Sequence, residues 1–511
     1  MRCVDPTEVG SGIRILFGGM EMMKSRFLLI LGGACLIGAL AGARAEAGPA
    51  PAGPAPTWNK DVAPIVYSNC ISCHRQGEVA PMSLTSYAEA RPWAKGIKAK
   101  VMAHEMPPWF ADPRYGKFDN ARGLTQEQVD TLIAWADAGA PQGSGPAPVA
   151  PDFGDRNGEI MQRAPDFVFG MPVEINIPAA GQLPNFNVWE KVPFAQDKFI
   201  EAVESRPSNR AVTHHSSFRA QPLPDGSDHI GLGHAWPGGP MINAVPVRED
   251  GSELDDISEF GNDEPTAANL GDTVDATLGN ILTFYTPGTG YLRFRPGFAK
   301  QIKHDQYFTW VLHYNPTGRP EKDRHQVSLW FTQDPTVHVI ESGNASDVEI
   351  YQGKETVGRN VKRDNIPAEA GNYHVASLRV IKSDTTLTSL WPHMHLRGKD
   401  QTWSVTYPDG REEILLSVPS YSFEWQVQYI FSDPVKLPAG SVLRVSTHYD
   451  NSSKNKFNPA PDQELPWGGQ SWHEMYFPHF NLSIDKHVVK TGQGPNQSQN
   501  KPDSGEIAAT R

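Results

Sequence analysis

Between about residue 160 and residue 485 the sequence holds no sustained helical period. It breaks instead into short β-branched and aromatic runs separated by Pro, Gly, Asn and Asp. Tyr307 to Tyr314, Val327 to Thr332, Thr402 to Tyr407 and Val442 to His448 are such runs. Pro408-Asp409-Gly410 and Leu437-Pro438-Ala439-Gly440 read as turns joining them in hairpins. This spacing predicts β-sandwiches, and the length allows two. No G-x-G-x-x-G, P-loop or G-x-S-x-G is present, and no internal repeat is evident. A hydrophobic content of 39% with 20% charged residues describes a globular chain. The formal charge of −12 argues against nucleic acid or an anionic membrane as the main partner.

The N-terminal region has a different character. Residues 22–45 read as a secretory signal: Lys24 and Arg26, an apolar run from Phe27 to Ala41, then Ala43-Arg44-Ala45 as cleavage site. A retained N-terminal anchor is the alternative, and residues 1–21 read as an upstream extension. Cleavage places the protein in the periplasm or outside the cell, takes the charge to about −14, and leaves two of the four cysteines, Cys70 and Cys73. After a Pro/Ala-rich linker at 46–56, these lie in Cys70-Ile71-Ser72-Cys73-His74, the C-x-x-C-H of covalent haem attachment with His74 as axial ligand. Zinc would need two further ligands nearby, and a thioredoxin-like pair would need a surrounding βαβ pattern. Met106, followed by Pro107 and Pro108, is the expected sixth ligand, with His104, Met102 and Met82 as rivals. An amphipathic helix opening at Leu124-Thr125 then presents Val129, Leu132, Ile133 and Trp135. Residues 57–142 thus resemble a small, all-α class I cytochrome c domain.

Histidines carry most of the remaining information. His393-Met394-His395 is an H-x-H pair whose rings, on a strand, project to one face and can share a metal. His214 and His215 are adjacent, so using both as ligands requires a bulge or loop. His313 ends a strand-like run, and Trp472-His473-Glu474-Met475-Tyr476 offers a thioether beside polar groups. His234, His229, His304, His325, His374 and His448 read as structural; His473 is a spare ligand to watch.

The order HH, strand-end HY, H-x-H and Glu-Met resembles the copper type II, ascorbate-dependent monooxygenases, which include peptidylglycine alpha-hydroxylating monooxygenase and dopamine beta-monooxygenase. Pro392 to Gly398, Tyr407 to Gly410 and Asp450-Asn451-Ser452 resemble bacterial members. The resemblance implies two tandem jelly-roll domains, at 160–345 and 346–485, with copper sites facing each other across a water-filled cleft. His214, His215 and His313 would hold an electron-transfer copper. His393, His395 and Met475 would hold the copper at which O2 reacts, so these three are the expected catalytic residues. The chain departs from the peptide-amidating pattern at Trp391, Phe477, His479 and Val311, which points away from peptidylglycine toward a more apolar or aromatic substrate. Residues 486–511 read as a disordered tail, most polar from Gln493 onward.

The expectation is therefore a mainly β, exported copper monooxygenase that hydroxylates a C–H bond of a small organic substrate. Its cofactors would be two copper ions and one covalently bound haem c, reduced by an external redox protein or ascorbate-like donor. The alternative is a copper- and haem-binding electron-transfer or copper-handling protein without oxygenase activity.

Overall fold

The strand Val442–Tyr449 buries Leu443, Val445, Thr447 and Tyr449 while the residues between them are more open, the period-two signature of a sheet covered on one face. Phe477–Ile484 and nearly all of Thr213–Gln221 are buried along their length, as in strands covered on both faces. The computed structural model describes residues 54–151, 161, 163–233, 242–253, 280–357 and 364–492. The signal-like segment, residues 46–53 of the linker, His234 and the tail from 493 lie outside them. Among the described residues no helix is long and apolar enough to cross a membrane.

The architecture is mainly β, with a short helical region before it. In the first sandwich a four-stranded sheet runs Phe186–Lys191, Tyr307–Tyr314, Thr213–Gln221, Asn280–Tyr285. It packs through Phe186, Phe218, Phe308 and Trp310 onto a larger sheet that supplies Ile200, Val203, Val327 and Leu329. The second sandwich pairs the sheet Glu341–Asn344, Phe477–Ile484, Thr385–His393, Tyr429–Leu437 with a six-stranded sheet. Leu387, Leu390, Phe480 and Leu482 meet Trp403, Val405, Leu443 and Val445 between these layers.

The two four-stranded sheets turn their outer faces toward each other. Phe284 of the first lies 3.6 Å from Trp391 of the second, ring centre to ring centre, and Lys300 Nζ, from the larger sheet of the first sandwich, donates to Asn481 Oδ1 at 3.0 Å. Alternation then fixes what faces the contact. In Thr213–Gln221 and Tyr307–Tyr314, Phe218, Ala220, Phe308, Trp310 and Leu312 enter the first core. His215, Ser217, Arg219, Thr309, Val311 and His313 are left for the interface.

Three sequence expectations change. Pro408-Asp409-Gly410 is a hairpin joining Gly398–Thr406 to Glu412–Val418, with Gly410 at φ +85°. Leu437 to Gly440 is not: it carries the chain from one sheet of the second sandwich to the other, tied down by Gly440 N–H to Ile381 O at 2.7 Å. The tail does not start at 486, because Val488–Lys490 pairs with Thr336–Val339 of the first sandwich. Glu341–Asn344, assigned from sequence to the first domain, pairs with Phe477–Ile484 of the second.

The helical region comprises Ala63–Asn69, Tyr87–Ala90, Ala94–Met102 and Gln126–Asp137. Thr125 and Gln128 close a capping box at the start of the last helix, and Trp58, Val66, Leu132 and Trp135 form the core. This region is more than a bead on a tether. Trp109, Phe110, Ala111 and Phe118 leave it to join the core of the second sandwich, where Trp109 packs 4.9 Å from Tyr429. Backbone bonds Asp112 N–H to Ser417 O and Ser432 N–H to Lys117 O, both 2.8 Å, stitch the segment in place.

Candidate functional site

The adjacent histidines are accommodated by a bulge. On the strand opposite, His313 pairs with His215 and Tyr314 pairs with Thr213, so His214 is the extra residue. This lets both rings turn inward, with their Nδ1 atoms 2.7 Å apart. Two nitrogens about 2.0–2.1 Å from one ion and at right angles to each other would stand about 2.9 Å apart, so this pair has the bite of neighbouring ligands. His313 lies against the His215 ring at 3.9 Å and 31°, stacked on it. Behind the pair, Asp323 accepts from Tyr314 Oη at 2.8 Å and is paired with His325 Nδ1 at 2.7 Å; His325 Nε2 meets Ser216 Oγ at 3.1 Å. His325 is thus structural, as expected.

The second set comes from the facing sheet. His393 ends its strand and His395 follows in the turn, with ring centres 5.2 Å apart. Each Nδ1 is engaged: His393 with Gln426 Oε1, His395 with the His473 backbone oxygen at 3.3 Å. An Nδ1–H directed at an acceptor leaves Nε2 as the lone-pair donor, and His395 Nε2 is buried without a hydrogen-bond partner. Met475 lines the same cavity and packs on Ile281, Phe284, Trp391 and Phe477. The completely buried Glu474 fixes the spacing: it accepts the backbone N–H groups of His395, of Arg397 at 2.9 Å and of Met475 at 3.0 Å.

All five histidines are neutral at physiological pH. Burial pushes His214 and His393 down to about 4; burial and mutual repulsion hold His215, His313 and His395 well below the usual imidazole range. Neutral imidazole is the ligand form. The two sets also sit closer than a cleft between them would allow, with His215 and His393 ring centres 6.1 Å apart. Phe423 wedges beside them, and a 680 Å³ cleft opens to one side, where His214 and His313 reach its wall. A smaller cavity of 60 Å³ holds His215, His313, His393, His395 and Met475 in its lining.

The donor chemistry of His393, His395 and Met475 fits a copper ion, two imidazoles with a soft thioether. The His214–His215–His313 set is less complete. Among the described residues no three His, Cys, Asp or Glu side chains are disposed to hold one ion, because His313 stacks on His215 instead of standing beside it.

In the helical region, Cys70, Cys73, His74, Met82 and Met106 line one apolar cavity of 210 Å³. His74 Nδ1 faces the Met82 oxygen at 3.3 Å, leaving Nε2 available as an axial ligand. Cys70 and Cys73 are not joined in a disulfide, and burial pushes the Cys70 thiol up to about 12. Met106 reaches this cavity, whereas His104 and Met102 are exposed. Arg122 from the same wall donates to Gly288 O at 2.9 Å, and Glu78 pairs with Arg210, both contacts to the first sandwich.

The sequence reading gave Glu474 no role beyond its place in the Glu-Met pair and did not find Gln426, Phe423 or Arg219. Arg219 lies buried in the small cavity with Nε on Ser217 Oγ at 3.0 Å, and burial pulls it down to about 10. Trp391, Phe477 and Val311 also line this cavity, but His479 lies behind it, stacked on Phe477 with neither ring nitrogen bonded. His473 contributes its carbonyl to His395. His448 is satisfied by Asp400 at 2.7 Å, His374 by Ser446 at 2.9 Å and His304 by Asp197 at 2.8 Å. His229 is exposed.

No protein-family model and no curated protein matches the chain. Among solved structures, one of PNGF-II is similar over 63% of this chain and 66% of its own, at 12% identity and a TM-score of 0.21. A structure of infectious bursal disease virus, Gx strain, is similar over 66% of this chain and 73% of its own, at 10% identity and a TM-score of 0.16. Similarity at this level carries no argument about function.

Proposed function

We propose that the protein is an exported copper monooxygenase with two jelly-roll domains and a fused c-type cytochrome domain. The observation that carries this reading is the convergence of His393, His395 and Met475 on one cavity, with both Nδ1 atoms engaged and His395 Nε2 buried without a partner. Copper held there would supply the one-electron chemistry that activates O2 for C–H hydroxylation. The chain's own contribution is orientation and exclusion of water. Gln426 and the His473 carbonyl set the two rings, Glu474 holds His395 and Met475 in register, and Trp391, Phe284 and Phe477 wall the cavity with aromatic surface. That wall supports a substrate with an apolar or aromatic body. His214, His215 and His313 would hold the second copper, and Cys70, Cys73, His74 and Met106 the haem, fed by an external donor. No partner beyond donor, substrate and O2 is proposed.

Metal and haem content of protein matured with haem and loaded with copper, followed by substrate-dependent O2 uptake, tests the reading. Two coppers per haem with uptake are expected. One haem and no bound copper would overturn it. The close packing of the 60 Å³ cavity favours one rival, a copper and haem electron carrier, which would show reduction and reoxidation without O2 uptake.

A further inference from the structure

The haem-type cavity and the histidine cluster are built from distant parts of the chain, yet one short loop reaches both. Trp425 is the one residue in the lining of the haem-type cavity that comes from the second sandwich. Two residues earlier, the Phe423 ring lies 4.7 Å from His214, 5.9 Å from His215 and 5.8 Å from His395, centre to centre. One residue later, Gln426 meets His393 Nδ1 and accepts Trp391 Nε1–H on its backbone oxygen at 2.9 Å.

The loop is held in one shape. Gln426 Nε2 donates to Phe423 O at 2.9 Å, Trp425 N–H to Ser422 O at 3.1 Å, and Val427 is buried in the second core. The cavity it reaches is held as well, by Arg122 on Gly288 and Glu78 on Arg210. The sandwiches also approach this cavity at Gly288, where a Cβ would collide with Cys73 Sγ. A second line from that contact passes Tyr285, close to Cys73, whose ring meets His325 edge-on at 6.3 Å, and His325 reaches Ser216 beside His215 at 3.1 Å.

We propose that the Phe423–Gln426 loop is the electronic contact between the haem cavity and the metal-binding histidines, with Trp425 as its haem-side face and Phe423 as its histidine-side face. This rests on the copper and haem reading above. In each passage one electron would leave a ferrous haem, which becomes ferric, and would reduce a Cu(II) held by His393, His395 and Met475 to Cu(I), Phe423 lying 5.8 Å from His395. No bond or proton is exchanged, and the external donor restores the ferrous haem. Two aromatic side chains joined by a short, hydrogen-bonded stretch of backbone transmit an electron better than the same span of solvent, which is the physical reason for the assignment. Trp425 and Phe423 are positioning residues, since neither is a ligand.

The test uses the full-length protein carrying haem and copper, under anaerobic conditions. The haem is reduced rapidly, its reoxidation is followed by visible absorption, and loss of the Cu(II) signal is followed by freeze-quench electron paramagnetic resonance. Trp425→Leu should slow both severalfold or more. Trp425→Phe should restore most of the rate, with metal content and haem spectrum unchanged in both variants. If Trp425→Leu does not fold, Phe423→Leu carries the same expectation. Unchanged transfer in a folded, fully loaded variant would overturn the loop as the contact and leave the copper and haem reading standing. Wild-type protein that binds no copper or no haem would overturn both.

Discussion

The two histidine sets answer the same problem of aiming imidazoles from a β-strand in different ways. His214 and His215 rely on a bulge, and their rings touch each other and His313. His393 ends its strand and His395 lies just beyond it, and their rings are fixed by groups other than ligands: Gln426, the His473 carbonyl and Glu474. The second set therefore has its free nitrogens defined before any ligand arrives. The first set has its nitrogens close together but must rotate His313 to complete a site. A pre-set tautomer lowers the ordering cost of binding, so the second set should be the more selective and the first the more yielding.

Acid should erase the difference, and with the largest effect. Burial lowers His214 and His393 to about 4 in the folded state, against an unfolded value near 6.5. The unfolded chain therefore binds more protons between those values. The stability tied to the neutral rings is complete above about pH 6.5 and is lost as pH falls toward about 4, on the order of 3 kcal/mol per ring. Urea denaturation of metal-free protein across this range should show the loss; a flat profile would contradict the buried, neutral cluster.

Glu474→Ala separates the two sets. It strands three buried backbone N–H groups and should cost about 3–5 kcal/mol, while Glu474→Gln, which keeps an acceptor, should cost less. In whatever folded Glu474→Ala protein is obtained, copper content should drop by the His393–His395–Met475 site alone. Gln426→Leu is milder: it should leave the fold intact and weaken copper at the second set by about 10- to 100-fold, without changing the first, by competition titration with a chelator. His448→Ala should do least. It removes a partly exposed pair with Asp400, and both copper content and stability should stay within about 0.5 kcal/mol of wild type.

Much of the fold was legible because its signals are local. The strand Tyr307–Tyr314 has the limits the sequence run suggests, the Thr125 cap opens its helix where expected, and the adjacency of His214 and His215 demanded the bulge that is present. The turn at Leu437 to Gly440 shows the limit of that reading. Its residues specify a reversal equally well within one sheet or between two, and the choice belongs to Ile381 and Asp384, more than fifty residues earlier. Glu474 had no structural role in the sequence reading because a glutamate is ordinarily solvated; the three N–H groups gathered around it and the nearby Arg397 charge ease its burial.

The sequence by itself determined the local chemistry: the C-x-x-C-H pair of thiols, the histidine spacings, and the two-residue period that sends alternate side chains to opposite faces. Only the tertiary structure decided that the sheets bearing His215 and His393 face each other, that the segment around Trp109 is buried in the second sandwich, and that Gln426 and Phe423 meet histidines from remote strands. The reason is physical. Alternation and turn propensity act over a few neighbouring residues, whereas which sheet faces pair, and which nitrogen of a ring is left free, follow from apolar burial and hydrogen bonding between segments that the chain keeps far apart.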